Sequence, residues 1–258
     1  MDGIVELEIY QFLLVYLLLI IVLAVMKKCK LDHGKLLIVA SLRMTVQLVL
    51  AGLILMYIFK ENIPLLTIAY LAVMAVFTLY RILSKNRDLN RDFKIVVSVS
   101  VLVSTFAVLT YFICVVVGES MLNPQYVIPI AGMVMGNTMT GVGLGLKTFR
   151  ESLEGQSIRI NALLCAGTSP DSILLPFARK GMETAMLPTI NNMVGMGIVF
   201  LPGMMTGQIL AGVDPTTAVL YQAAIIIALC AVVTASCFGS LYFGYKTMYD
   251  KETQTITV

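Results

Sequence analysis

The stretch LPGMMTGQILAG at residues 201–212 sets Pro202, Thr206, Gln208 and three glycines inside a segment whose hydropathy is that of a lipid interior. Hydrocarbon offers no hydrogen bonds, so polar side chains and helix breakers are tolerated there chiefly where they face protein or a water-filled cavity. A plain anchor has no use for them. The stretch is therefore expected to line, or flex around, a translocation path.

Its surroundings are apolar. Hydrophobic residues make up 59% of the 258 and charged residues 13%, about half the charged share of a soluble domain. Segments long enough to cross about 30 Å of hydrocarbon at about 1.5 Å per residue fall at 5–26, 36–58, 63–83, 94–117, 126–146, 187–211 and 217–245. The expected fold is all-α and polytopic, with about seven transmembrane helices in a single membrane domain over residues 1–258. No soluble module or internal repeat is apparent.

Lys and Arg are retained on the cytoplasmic side of short loops. With the N-terminus outside and the C-terminus inside, sixteen of the eighteen fall on that side, in groups around Lys27 to Lys35, Arg81 to Lys94, Lys147 to Lys180, and Lys246 and Lys251. Only Lys60 lies outside, and Arg43 lies within a span, sharing a helix face with Gln47. The net charge of +3 thus speaks for membrane orientation and not for nucleic acid. The first span is expected to be uncleaved, because Asp2, Glu6 and Glu8 are acidic where a signal peptide is basic and Lys27-Lys28 stands where small residues would be cut. The five cysteines form no CxxC pair and read as packing residues.

Asn123-Pro124 and Asp214-Pro215 each put a capping side chain before a proline, which predicts helix starts for the fifth and seventh spans. The cytoplasmic stretch 147–186 is too long for a simple connector. Its apolar residues Ile160, Leu163, Leu164 and Ile173, Leu174, Phe177 recur at helical spacing between turn signals at Gly155, Gly167 and Ser169-Pro170, predicting short amphipathic helices. Such helices either lie in the lipid interface or dock into a groove on another protein.

Asn137, Thr138 and Thr140 in the fifth span, with Asn191, Asn192, Thr206 and Gln208 in the sixth, supply hydroxyl and amide groups at membrane depth. They serve either as interhelical hydrogen bonds or as the polar wall of a path. Gly132 and Gly136, and likewise Gly141 and Gly145, make small-xxx-small steps suited to close helix contact, including contact with a second copy. Methionines cluster near the same motifs, among them Met204 and Met205. Thioethers suit soft cations such as Cu(I), whereas iron prefers oxygen or imidazole donors; the same methionines also serve as apolar filler. No dense metal cage is visible, so any iron would be met by oxygen and amide donors such as Asn137, Gln208 and Glu119, and no ligand set is assigned.

An enzyme is excluded on inventory. His33 is the only histidine, next to Asp32 in a loop, so neither a His-containing triad nor HExxH exists. GVGLGLKT at residues 141–148 approaches a phosphate-binding loop but has Leu146 where glycine must precede the lysine. No cofactor is expected on this chain, and any ATP would be hydrolysed by a partner.

LPGMMTGQILAG, the run MGNTMTGVGLGLKTF at residues 135–149, and the pairs Asp214-Pro215 and Tyr221-Gln222 together resemble the FetB/YbbM family of ABC-type permeases, described as iron or metal exporters. Asn161-Ala162-Leu163 followed by Gly167 also resembles the Glu-Ala-Ala coupling loop of ABC permeases, with asparagine in place of the glutamate. The resemblance implies a permease subunit in a bacterial plasma membrane, working as a homodimer with a separate ABC ATPase. It further implies coupling through Asn161, Ala162, Leu163, Leu164, Gly167 and Phe177, and a metal ion as cargo, plant relatives being tied to aluminium tolerance. The polar and methionine residues at membrane depth give the expected translocation path, past Asn137, Thr138, Thr140, Asn191, Asn192, Met204, Met205, Thr206 and Gln208. Two alternatives stand beside it. A proton-driven secondary transporter wants a titratable group at midplane, which the spans lack. A non-transporting scaffold or sensor needs no polar path.

Overall fold

The computed structural model describes residues 8–61, 63–250 and 255–256. The acidic residues Asp2 and Glu6, the expected start of the first span at residue 5, and Lys251 lie outside them. Helix α1 is Ile9–Lys28, α2 Gly34–Glu61, α3 Pro64–Ser84, and α4 Arg91–Tyr111, which runs on as a π-helical segment Phe112–Val117. Next come α5 Pro124–Glu154, α6 Ser157–Cys165, α7 Pro170–Gly195, α8 Gly203–Leu210 and α9 Pro215–Phe238. The last continues through a π-helical segment Gly239–Phe243 and a 3-10 turn Tyr245–Thr247, followed by a two-residue antiparallel ladder pairing Tyr249 with Ile256 and Asp250 with Thr255.

The fold is that of an all-α polytopic membrane protein. Six helices among the described residues are long and apolar enough to cross a bilayer: α1 to α5 and α9 with their continuations. They coincide with six of the seven expected spans. The expected span 187–211 differs, because it is not one helix. Helix α7 begins in the cytoplasmic-type segment at Pro170, passes through Pro176 and Pro188, and stops at Gly195. Residues 196–202 then turn, with Gly197 at φ +81°, and the short α8 follows Pro202. Glycine supplies the left-handed turn and proline cannot donate to a preceding carbonyl, so the break is written in the residues.

Both proline starts are capped as expected. Asn123 Oδ1 accepts from the Gln125 N–H (3.3 Å), and Asp214 Oδ2 accepts from the N–H groups of Thr216 (3.1 Å) and Thr217 (3.3 Å). Asn90 caps α4 by accepting from the Phe93 N–H (2.7 Å), and its Nδ2 donates to the Thr247 carbonyl (2.9 Å), tying the start of α4 to the end of α9.

Helix α5 is the hub, packed on α7, α3, α9 and α4. A Cβ placed on Gly181 of α7 would lie 2.8 Å from the Gly145 carbonyl of α5 and 3.0 Å from Leu241, and one on Gly141 would lie 2.6 Å from Val233 of α9. Backbones approach closely only where the side chain is absent. These contacts also set direction: Gly141 neighbours Ala185 and Gly145 neighbours Gly181, so α5 and α7 are antiparallel. The small-residue step at Gly141 and Gly145 is thus spent inside the chain, while Gly136 and Gly143 face open space. Around this block, α1 and α2 form a thin rim, joined through a hydrogen bond between the Tyr16 and Thr45 hydroxyls.

Candidate functional site

Three places bear on transport: the polar face of α5, the break between α7 and α8, and α6. On α5, Asn137 Nδ2 donates to the Met133 carbonyl (2.8 Å) and Thr140 Oγ1 to the Gly136 carbonyl (3.0 Å). Bonding back to the carbonyl four residues earlier satisfies a polar side chain within its own helix. Thr140 is exposed and Asn137 half-buried. Thr138 differs: it is wholly buried, and its hydroxyl bonds to none of the described residues.

Asn191 and Asn192 lie exposed near the end of α7. In α8, Thr206 Oγ1 donates to the Pro202 carbonyl (3.1 Å), and Met204, Met205, Thr206 and Gln208 are all half-buried. Met204 packs against the core. The main neighbour of α8 is α9, whereas that of α7 is α5. The expected polar residues are therefore divided between two helix pairs and do not form one cluster.

Of a further set of buried polar side chains, sequence analysis singles out only Gln222, through the pair Tyr221-Gln222. Gln222 and Ser236 on α9, Ser240 on its π-helical continuation and Thr105 on α4 are buried, and the Gln222 Oε1 and three hydroxyls accept from or donate to no described residue. The signal was present, since residues 222, 236 and 240 recur on one helical face.

At the end of α5 that carries Lys147 to Glu154, the chain turns through Gly155 and Gln156 into α6, which places Ile160 inward, buried. Leu163 and Leu164 pack partly against the core, as does Phe177 on α7. Leu163 and Phe177 line a groove of about 270 Å³ with Arg159, Pro176 and Lys180. Gly167, at φ +80°, makes the turn between α6 and α7. The outward face consists of Ile158, Asn161, Ala162 and Cys165, spaced as one side of a helix. Ile158 is 86% exposed. Sequence analysis singled out Asn161 and Ala162 but not Ile158, which falls outside the inward apolar pattern.

At the opposite end of α5, Glu119, Ser120, Asn123 and Gln125 line a cavity of about 410 Å³ with Phe59 and Pro64. Asn123 Nδ2 donates to Glu119 Oε2 there (3.1 Å). No group of three or more His, Cys, Asp or Glu side chains gathers anywhere among the described residues. GVGLGLKT lies within helix α5 and not in a loop, so its N–H groups bond along the helix and cannot cradle a phosphate.

The model of the family described as Uncharacterised protein family (UPF0014) matches residues 9–249. The chain belongs to this family. Among similar proteins, the "Probable iron export permease protein FetB" of Escherichia coli strain K12 is 27% identical over 243 residues, covering 94% of this chain and 93% of the relative. "Protein ALUMINUM SENSITIVE 3" of Arabidopsis thaliana is 29% identical over 245 residues, 95% and 88% of the two chains. "UPF0014 membrane protein slr1647" of Synechocystis is 29% identical over 217 residues, 83% of each. No solved structure matches. This UPF0014 chain is accordingly an integral membrane protein with a relative named as an iron export permease.

Proposed function

We propose that this chain is the membrane subunit of an ABC-type transporter, exporting iron or another metal ion as a homodimer with a separate ATPase. The observation that carries this is the near end-to-end match to a relative named as a probable iron export permease. On this reading the subunit sits in a bacterial plasma membrane with its N-terminus outside and its C-terminus in the cytoplasm, the sense that the distribution of basic residues supports.

On this reading the outward face of α6, with Ile158, Asn161, Ala162 and Cys165, seats in the ATPase. Short turns join α6 to α5 on one side and α7 on the other, so a push on it moves the glycine-packed α5–α7 pair as one body. The break at residues 196–202 frees α8 from following the direction of α7. Cargo meets neutral oxygen donors in turn, Asn137 on α5 and Gln208 on α8, and the Glu119 carboxylate at the outer mouth, a donor set suited to a hard cation shedding part of its water.

A tagged chain purified from its native membrane should bring an ABC ATPase with it. Ile158→Glu should release that ATPase while the subunit stays in the membrane, because a charge in a desolvated contact is costly. Absence of any co-purifying ATPase, together with metal efflux unchanged in Ile158→Glu, would overturn the reading.

A further inference from the structure

The basic ends of α3 and α5 enclose a cleft of about 450 Å³ that the transport reading leaves unused. Its rim holds four cationic side chains, Arg81, Lys85, Lys147 and Arg150, and its lining contains no carboxylate. Two of the four are compensated from outside the cleft. Arg150 pairs with Asp88 (3.0 Å) and Glu154 (3.4 Å), and Lys147 with Glu151 (3.7 Å). Arg81 and Lys85 have no carboxylate within ion-pair distance among the described residues. The cleft therefore keeps two uncompensated positive charges at one boundary of the membrane.

Above the rim the walls turn apolar. Ile82, Met139 and Leu144 line the floor with Thr140 and Gly143, and a Cβ on Gly143 would meet nothing within 4 Å. From Lys147 to Thr140 is seven residues, about 10 Å along the helix. A cationic rim over an apolar floor fits a ligand with an anionic head and a hydrocarbon tail. Basic pockets between transmembrane helices at the cytoplasmic boundary hold such headgroups.

We infer that this cleft binds the phosphate headgroup of an anionic membrane lipid, with Arg81 and Lys85 supplying the attraction and the Gly143 face of α5 receiving the start of an acyl chain. A metal cation finds the same cleft repulsive, which separates it from the proposed cargo path. The inference holds whether or not the chain works with an ATPase.

The test is native mass spectrometry of the purified full chain, titrated with dioleoylphosphatidylglycerol, dioleoylphosphatidylcholine or glycerol 1-phosphate. The anionic lipid should stay bound as a one-to-one adduct, and the other two should not. Each basic side chain near an anionic surface contributes about a factor of five, so Arg81→Gln with Lys85→Gln should weaken retention roughly ten- to thirtyfold. Arg87→Gln with Arg91→Gln, on the same boundary outside the cleft, should leave it unchanged. Gly143→Leu fills the floor without altering charge and should also release the lipid. Equal retention of both lipids, or full retention in the Arg81/Lys85 double variant, overturns the site. Equal retention of glycerol 1-phosphate overturns the lipid assignment, leaving a soluble phosphate as the ligand.

Discussion

The block formed by α4, α5, α7 and α9 and the rim formed by α1 and α2 are both apolar, yet they are built on opposite plans. In the block, half of the α5 and α9 spans is buried within the chain, and glycines bring backbones together. In the rim, the apolar windows of α1 and α2 are not buried at all. Lipid tails are as apolar as leucine, so hydrophobicity cannot pull helices together inside a bilayer and shape must do it. Small residues make the block cohere. Large aliphatic residues leave the rim facing lipid or another molecule.

The sharpest way to break that contrast is Phe149→Ala. Phe149 is fully buried and stacks on Phe93 with ring centroids 6.0 Å apart, so its loss should cost about 3–5 kcal/mol, read as a large drop in the thermal midpoint in mild detergent. Gly181→Ala comes next. The new methyl would press on the Gly145 backbone, and overpacking of this kind costs about 1–3 kcal/mol. Survival of Gly181→Ala with an unchanged midpoint would show that α5 and α7 are not held by backbone contact.

Asp214 tests the entry to α9. Its carboxyl is held below its ordinary value, first by the Thr216 hydroxyl and then by the Thr217 N–H. A depressed value means that the cap stabilises above the ordinary carboxylate range and that the gain disappears as pH falls through the lowered value. The difference in midpoint between the wild type and Asp214→Ala should be present at pH 6 and should shrink at strongly acidic pH. Smallest of all should be Ile20→Ala on α1, within about 0.5 kcal/mol as for a surface site. A larger effect in the purified homogeneous protein would mean that something covers the rim.

Much of this architecture can be read from residue order. Hydropathy locates six spans, and Asn123-Pro124 and Asp214-Pro215 mark two helix starts, because both signals are local. The fate of residues 187–211 is less legible. Their apolarity suggests one span, whereas α7 runs from Pro170 through Pro176 and Pro188 to Gly195 and joins the first part to the preceding segment, a continuity that the two prolines hide. Gly141 and Gly145 announce close packing, but spacing along one helix cannot say whether the neighbour belongs to the same chain. The same limit hides the cleft. Arg81 and Lys147 are recognisably basic boundary residues, while their convergence depends on α3 lying against α5, a long-range fact. Ile158 goes unnoticed for another reason: an exposed apolar residue on a short helix breaks the pattern by which amphipathic faces are found.

The interruption between α7 and α8 has an electrostatic consequence. By the antiparallel register, Gly195 lies ten residues beyond the level of Gly141, roughly 15 Å along the helix, and so short of the start of α5 at Pro124. The end of α7 thus falls within the length of α5, and the start of α8 follows the turn at residues 196–202. A terminus carries about half an elementary charge in its unpaired carbonyls or N–H groups, negative at the end of α7 and positive at the start of α8. The chain thereby sets partial charges of both signs on the two sides of the break without an ionisable side chain between residues 191 and 210, a field that neither pH nor a change of protonation can switch off.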